Sequence, residues 1–449
     1  MADEKRVLLI VSDLHLSEGE DPKTGCLSPL EDFLFDTAFR RFLSTHAKSA
    51  ADEGYRLRLI IAGDMVDFLQ VLGDRKARPL RDRLFTFGSP PLRSRRLGRS
   101  TSAGNTCWKL EKIVAGHKVF FEALAEFLAD GHDLVVLPGN HDIEWVFPDV
   151  QAAFKNALVD HAPQKVKADI PQRIQFLPWF YLEPGLIYIE HGHQYCPLES
   201  FDYFLNPFLP GGLIDLPAGS FFVRYLFNHV ESSWPFADNI KPPSAFICWA
   251  IKRTETWLQM PKYIRFFLET LKKAGPLSLD WKKQQKDLHA SLLTDLSNKT
   301  GVSLDSLREL RCLWAFSAIH RLSKWRLAWQ LIHEAAGSGD LVVEAACISQ
   351  IIGVRYVIFG HTHEAGRQAL PGGPSGAEYV NSGTWTKIFT PSVEGRPFTE
   401  ERELVFVRVE PTEPKVELLR WDDRKGAGKA VRLCHKLGGR SKHSGTIPR

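Results

Sequence analysis

The stretch Val7-Leu-Leu-Ile-Val-Ser-Asp-Leu-His15 combines an apolar run with an Asp and a His, and this combination recurs along the chain. Its first five residues, Val7 to Val11, are apolar and have the length of a buried strand. Asp13 and His15 follow at once, and both are residue types that bind metal ions. In an open α/β sheet, functional groups gather just beyond the carboxyl ends of the strands. The stretch therefore predicts a strand that carries part of a site at its end.

The same arrangement of an apolar run and then Asp, Asn or His recurs four more times. The runs are 57–61, 134–137, 186–189 and 356–359. The segments that follow them are Gly63-Asp-Met-Val-Asp67, Gly139-Asn-His-Asp142, His191-Gly-His193 and Gly360-His-Thr-His363. Each segment alone fits an ordinary turn, where Asp and Asn are favoured. All five together, in one order, indicate a single site.

The side chains in these segments offer carboxylate, amide and imidazole ligands and no thiolate. Such a mixed oxygen and nitrogen set suits Mn, Fe, Zn or Co better than Ca or Mg, which prefer oxygen ligands. The set is too large for one open site, whereas two ions about 3.5–4 Å apart with a bridging carboxylate would use it economically. We therefore expect two divalent transition-metal ions, with Mn favoured over Fe, Zn or Co.

The ordered set resembles the calcineurin-like metallophosphoesterase superfamily, whose pattern is D-x-H, G-D-x-x-D, G-N-H-D/E, H and G-H-x-H. The resemblance covers residues 7–193 and 351–410. It implies an α/β fold, namely a four-layer α/β/β/α metallophosphoesterase sandwich, which here would carry a large helical insertion. It also implies hydrolysis of a phosphoester or pyrophosphate bond by a metal-activated hydroxide.

The resemblance further implies which residues hold the metals. One ion would be held by Asp13, His15 and His363. The other ion would be held by Asn140, His191 and His361. Asp64 would bridge the two ions.

The same resemblance implies that His141 is the general acid and that Asp67 orients it. A carboxylate on one imidazole nitrogen fixes the tautomer and raises the basicity of the ring, as a proton donor to a leaving oxygen requires. His193 is the second histidine of its pair. We expect it to contact substrate or groups behind the ligands rather than the metal.

The motifs divide the chain into four segments. These are 1–193 and 351–420, the two parts of a catalytic core, 194–350, a helical insertion or cap, and 421–449, a basic flexible tail. Within the insertion, apolar residues between Leu307 and Ile332 recur at spacings of three and four and predict a helix. Ser306 and Glu309 offer a capping box at its start. With an earlier helix expected over 261–273, the insertion is predicted to have a small core of its own.

The first third of the insertion, residues 201–243, is apolar and broken by turn residues. Such a segment can close a lid, bury an oligomer interface or contact a bilayer surface. The layout resembles the bacterial UDP-2,3-diacylglucosamine hydrolases, in which a helical cap lies between the same two motifs. This chain departs from them in its longer insertion and in His141, where those enzymes have Arg.

An arginine-rich segment, residues 73–106, follows the second motif. Charge runs are usually solvated surface. This one leaves the core directly after Asp67, so Arg75 and Arg78 are also candidates for holding the anionic part of a substrate.

The composition indicates the cellular location to expect for the protein. The chain of 449 residues carries a formal charge of +4 and seven widely spaced cysteines, which predict no disulfide framework. No apolar run reaches the ~18 residues of a membrane span, and the start of the chain does not resemble a signal peptide. We expect a cytoplasmic protein that could be peripheral to the inner face of a membrane.

Three classes of function remain open at this stage. The first is a phosphohydrolase acting on a small-molecule or lipid-linked substrate, favoured by the apolar insertion. The second is a nuclease, favoured by the arginine segment and the basic tail. The third is a scaffold without catalysis, although such proteins tend to lose ligands and none is missing here. The sequence leaves the oligomeric state open.

Overall fold

The computed structural model describes residues 6–72, 100–224, 228, 239, 279–315, 341–391, 398–402, 404–412, 414–423 and 429–432. Several sequence predictions lie outside these ranges: Arg75, Arg78, the helix over 261–273, residues 316–332 of the second predicted helix, and most of the basic tail. The side chains of Phe221 and Phe222 also lie outside the description.

The described chain is a mixed α/β structure with two mixed sheets. The larger sheet has seven strands in the order β14-β13-β12-β1-β2-β3-β4, and the smaller has five in the order β5-β6-β7-β9-β8, while β10 and β11 form a separate ribbon. The strands are β1 (Arg6–Val11), β2 (Arg56–Ala62), β3 (Asp133–Leu137), β4 (Ile174–Phe176), β5 (Tyr181–Glu183), β6 (Ile187–Ile189), β7 (Tyr356–Phe359), β8 (Gly366–Ala369), β9 (Glu378–Asn381), β10 (Lys387–Pro391), β11 (Phe398–Arg402), β12 (Val405–Glu410), β13 (Lys415–Asp422) and β14 (Lys429–Arg432).

Eight α-helices lie within the described ranges. They are α1 (Asp36–Glu53), α2 (Ala103–Gly116), α3 (Lys118–Ala129), α4 (Pro148–His161), α5 (Ala218–Phe222), α6 (Leu279–Thr300), α7 (Leu304–Cys312) and α8 (Val342–Ile352). None of the described helices is long and apolar enough to cross a membrane.

The apolar runs that the sequence marked as strands are strands in the structure, and they separate two hydrophobic clusters. Along β1, Leu8 and Ile10 join a cluster made from both sheets, whereas Val7, Leu9 and Val11 join a cluster shared with the helices. Strand side chains alternate between faces, so each run of five apolar residues serves both clusters at once. The strands β1, β2 and β3 are parallel, as are β6 and β7, so their carboxyl ends lie at common edges.

The insertion differs from the sequence prediction in two respects. Ser303, not Ser306, caps α7 by accepting a hydrogen bond from the Ser306 amide, and the helix ends at Cys312. The expectation of a separate small core is also wrong for the described residues. Leu307, Leu310 and Trp314 belong to the same hydrophobic cluster as residues of segments 1–193 and 351–420, and Trp314 contacts Trp179 with ring centroids 4.7 Å apart.

Part of the predicted flexible tail is ordered as a strand. Residues 429–432 form β14, which pairs antiparallel with β13 at the edge of the larger sheet. β13 itself continues to Asp422, beyond the boundary placed at 420. Lys429, Ala430 and Val431 are compatible with an edge strand, where a charged residue is tolerated. The basic composition of the tail did not indicate this strand pairing.

A buried ion-pair network fixes the loop that follows β1. His117, between α2 and α3, lies 3.1 Å from a Glu31 oxygen through Nε2 and 3.1 Å from Asp36 through Nδ1. Glu31 also accepts hydrogen bonds from the amides of Ser17 and Gly19 at 3.1 and 2.7 Å. Burial lowers the pKa of His117, but Glu31 and Asp36 outweigh it and raise that pKa to about 10.

We predict that His117→Leu lowers the free energy of unfolding by about 3 kcal/mol near pH 6, because it leaves the buried Glu31 without its cation. The folded-state pKa exceeds the ordinary value of 6.5, so the stabilisation is complete below pH 6.5 and is lost as the pH rises through about 10. Urea unfolding of both proteins across this range measures the difference. His161→Ala is the control, since His161 bonds to the Ala157 carbonyl of its own helix. A gap that stays constant up to pH 10.5 would contradict the role of His117.

Candidate metal centre

The five sequence motifs meet at the carboxyl ends of five strands. Asp13 follows β1, Asp64 follows β2, Asn140 follows β3, His191 follows β6 and His361 follows β7. The first three strands belong to the larger sheet and the last two to the smaller. Loops from both sheets therefore supply one site.

The backbone at the expected ligands is in the left-handed region. Among the described residues, six non-glycine residues have positive φ, and the five other than Leu404 are expected ligands: Asp13 (54°), His15 (52°), Asp64 (51°), His361 (68°) and His363 (60°). This region is uncommon for residues with a side chain. Such strain persists where the surroundings force it, and it clusters at functional sites. The loops are held in conformations that turn and cap chemistry alone does not require.

Glycines let these loops approach one another. A Cβ on Gly63 would collide with the ring of His191, and one on Gly139 would collide with the Asp64 carboxylate. A Cβ on Gly360 would collide with Asp13. Each of these glycines opens a motif, so its absent side chain is a condition for bringing ligands from different strands together.

Asp13, His15 and His363 form one group of convergent ligands. The Nε2 atom of His363 lies 3.2 Å from Asp13 Oδ1 and 3.2 Å from His15 Nε2. The corresponding distance from His15 Nε2 to Asp13 Oδ1 is 3.9 Å. All three ligand atoms lie within 4.8 Å of one another, which is the spacing of ligands around one cation. The sequence placed these three residues on one ion.

A second group forms around His191. Its Nε2 atom lies 3.1 Å from Asp64 Oδ2, 3.2 Å from Asn140 Oδ1 and 4.0 Å from Asp13 Oδ1. Its Nδ1 atom is bonded to the Ala62 carbonyl at 2.9 Å, so Nδ1 carries the proton and Nε2 is the donor atom for a cation.

Asp64 lies between the two groups. Its Oδ2 atom is 3.1 Å from His191 and 3.7 Å from the Nε2 atom of His15. Its Oδ1 atom accepts the His141 amide at 2.9 Å. A carboxylate with imidazoles of both groups on one oxygen has the position that a bridging ligand needs.

His361 lies beside the second group rather than within the tightest set. Its ring centroid is 5.3 Å from that of His191, and its amide donates to Asp13 Oδ2 at 3.0 Å. Burial, and then the charge of His191, lowers the pKa of His361 to about 3, which keeps the ring neutral as a metal ligand must be.

His141 and Asp67 form the expected pair. The Nδ1 atom of His141 donates to Asp67 Oδ2 at 2.6 Å, while Asp67 Oδ1 accepts the amides of Leu69 and Gln70. Burial lowers the pKa of His141, but the charges of Asp67 and Asp64 raise it to about 9. Burial raises the pKa of Asp67, but His141 lowers it, so that the pKa of Asp67 lies well below its usual range. The imidazole is thus protonated at neutral pH, and Nε2 is the ring atom left for proton transfer.

His193 lies beside the expected ligands His191 and His361, with ring centroids 5.4 and 6.4 Å away. It is buried, and its two ring nitrogens have no hydrogen-bond partner in the described part of the chain. Its ring packs edge-on against Phe201 and Phe204, with centroids 5.7 and 5.0 Å away. Burial lowers the pKa of His193 well below its ordinary value. Its contact with substrate or with groups behind the expected ligands stays a prediction.

Two further carboxylates lie beside the expected ligands and were not among the predicted site residues. Asp142 closes the third motif and accepts the amides of Gly139 and Met65 at 2.7 and 2.8 Å, so it joins the loops after β2 and β3. Burial and the nearby Asp64 raise the pKa of Asp142 to about 6. Glu199 lies in the insertion, and its Oε2 atom accepts a hydrogen bond from the side-chain Nδ2 atom of Asn140 at 3.0 Å. Asp142 could have been predicted as a site residue from its place in the third motif, whereas no sequence pattern indicated Glu199.

Comparison with known proteins indicates no family for this chain. No family model matches the sequence, and no curated protein gives a significant match. One solved structure aligns over 93% of this chain and 99% of its own length, with 11% sequence identity and a TM-score of 0.30. A likeness at that level supports neither a fold family nor a function.

We predict that Gly139→Ala loses bound metal while the protein stays folded, because the new methyl group would collide with the Asp64 carboxylate and lie 2.6 Å from the Asp64 backbone nitrogen, and so displaces this residue locally. Gly104→Ala is the matched control, since a Cβ on Gly104 of α2 meets nothing within 4 Å. Metal analysis of both purified proteins, with circular dichroism as the folding measurement, makes the test. Full metal content in Gly139→Ala would show that the close approach of the two loops is not needed.

Proposed function

We propose that the chain is a metal-dependent phosphohydrolase with the four-layer sandwich and the chemistry of the calcineurin-like metallophosphoesterases. The observation that supports this most is the convergence of five loops, with five expected ligands in left-handed backbone, on clustered carboxylates and imidazoles. Strained backbone at five ligand positions is costly, at about 1–3 kcal/mol per residue, and a purely structural cluster gives no reason for it.

The proposed centre holds two divalent transition-metal ions, with Mn favoured. Asp13, His15 and His363 would hold one ion. Asn140, His191 and His361 would hold the other, and Asp64 would bridge them. The donor set fits such ions because it combines oxygen with neutral imidazole nitrogen and contains no thiolate. When bound, these ions supply Lewis acidity that lowers the pKa of a nearby water and offsets the charge of a phosphate.

His141 is the proposed proton donor. Its Nε2–H bond breaks as a bond forms between that proton and the leaving oxygen, and Asp67 holds the ring through Nδ1 during the transfer. The His15 and His141 rings have centroids 4.7 Å apart, so the donor stands beside the metal ligands. The imidazolium also offsets negative charge on the leaving group before the transfer.

The proposed substrate is a phosphorylated small molecule or a lipid-linked phosphate. The insertion begins beside the centre, where Phe201 and Phe204 pack against His193, and an apolar neighbour favours a substrate with an apolar part over nucleic acid. A screen of phosphomonoesters, diesters, nucleotide-sugar pyrophosphates and single-stranded DNA with added Mn tests this choice. Hydrolysis of DNA alone, with salt-sensitive binding, would replace it with the nuclease. No hydrolysis of any substrate by Mn-loaded protein would contradict the enzyme.

We predict that the purified protein contains close to two metal ions per chain, and that Asp64→Ala loses both because it removes the shared carboxylate. Inductively coupled plasma analysis after dialysis measures the content. Asp305→Ala, which removes an exposed carboxylate of α7, should retain both ions. Two ions in Asp64→Ala would sink the assignment of the bridge.

We predict that His141→Ala keeps its metals but loses about 10²–10⁴-fold in turnover of an alkyl phosphate. The loss should be smaller for a nitrophenyl ester, whose leaving group barely needs a proton. Because the pKa of His141 is about 9, wild-type turnover of the alkyl ester should fall above pH 9 as the donor loses its proton. His161→Ala serves as control. Equal losses for both leaving groups would show that His141 acts only by supporting the site.

A further inference from the structure

We infer that Glu199, a residue of the insertion, is a positioning residue that orients the Asn140 side chain for metal binding. This inference rests on the proposed function. The Nδ2 atom of Asn140 donates to Glu199 Oε2 at 3.0 Å, and Asn140 Oδ1 lies 3.2 Å from the Nε2 atom of His191. The two ends of one amide therefore face different groups, the insertion on one side and a metal ligand on the other.

The chemistry of the pair decides which end faces the centre. A carboxylate accepts hydrogen bonds only, so it selects the NH2 end of an amide. The carbonyl oxygen of Asn140 is then turned toward His191, and only that oxygen can bind a cation. Without Glu199, the side chain could rotate by half a turn and present its NH2 group to the ion. Partners behind a ligand typically change metal affinity by about 10–100-fold.

The insertion holds the Glu199 carboxylate in place from two sides. Its own turn is closed by the Glu199 amide, which donates to the Cys196 carbonyl at 3.0 Å. At the start of α5, the Gly219 amide donates to the Leu198 carbonyl at 2.7 Å, and a Cβ on Gly219 would collide with the Glu199 carboxylate. The close approach of α5 thus restricts the carboxylate to the position that reaches Asn140.

The first test removes the acceptor. In apo protein titrated with Mn²⁺ and followed by electron paramagnetic resonance and calorimetry, Glu199→Leu should bind one ion as tightly as wild type. The other should bind about 10–100-fold more weakly. Glu199→Gln should restore only part of the affinity, because its side-chain oxygen still accepts from Asn140 but its NH2 group can also donate and so selects the Asn140 orientation less strictly. Glu309→Leu, an exposed change on α7, is the control. If Glu199→Leu binds both ions as tightly as wild type does, the inference is overturned.

A second test does not depend on whether Glu199→Leu folds. Gly219→Ala pushes the carboxylate away without removing it, and it should weaken the same single ion. The double variant Asn140→Asp with Gly219→Ala should recover that ion, because a carboxylate presents oxygen in either orientation. The inference is overturned if Gly219→Ala binds that ion as tightly as wild type and the double variant binds it no more tightly than Gly219→Ala.

The outcome also separates this inference from the proposed function. If wild-type protein binds no Mn²⁺, both fail. If wild type binds two ions and every Glu199 and Gly219 variant does the same with unchanged affinity, only the positioning role fails.

Discussion

Three buried carboxylates concentrated at one place are the constraint on which the rest of the structure depends. A buried carboxylate is costly unless it is paired, and Asp13, Asp64 and Asp67 each face an imidazole within 3.2 Å. This pairing raises the pKa of His191 to about 9 against the effect of burial, and the pKa values of the three acids lie below their usual range. The loops must therefore bring histidines from distant strands to these acids, and a divalent cation would meet the same electrostatic demand.

The loops can be strained because the strands beneath them are not. Adjacent residues of β1, such as Val7 and Leu8, are fully buried in different clusters, so the strand is fixed from both faces up to Val11. Interiors packed in this way transmit strain rather than relax it. The left-handed residues Asp13 and Asp64 each lie two residues after the end of such a strand. Backbone hydrogen bonds hold this region in place, since the Leu14 and His15 amides donate to the Asp64 carbonyl at 2.9 and 3.0 Å.

Most of the centre could be predicted from sequence because its ligands follow strands, and apolar runs reveal strands. Asp13, Asp64 and His191 therefore meet where the motifs placed them. The insertion was less predictable, since helical periodicity shows which face is buried and not against what. Trp314 was expected in a separate core and instead contacts Trp179. Glu199 could not be found at all, because its role depends on a contact between segments 59 residues apart.

These contacts make the insertion part of the centre rather than a cap placed over it. The Ala315 amide, just after α7, donates to the Gln194 carbonyl at 2.7 Å, and the Gln194 side chain bonds to both backbone groups of Phe201. Gln194 follows His193 directly and lies three residues after His191. A displacement of α7 therefore acts on the loop that carries His191, an expected metal ligand, whereas a displacement of α5 acts on Asn140 through Glu199. Because the two routes reach ligands of the same proposed ion, that ion is the one whose affinity should respond to changes in the insertion.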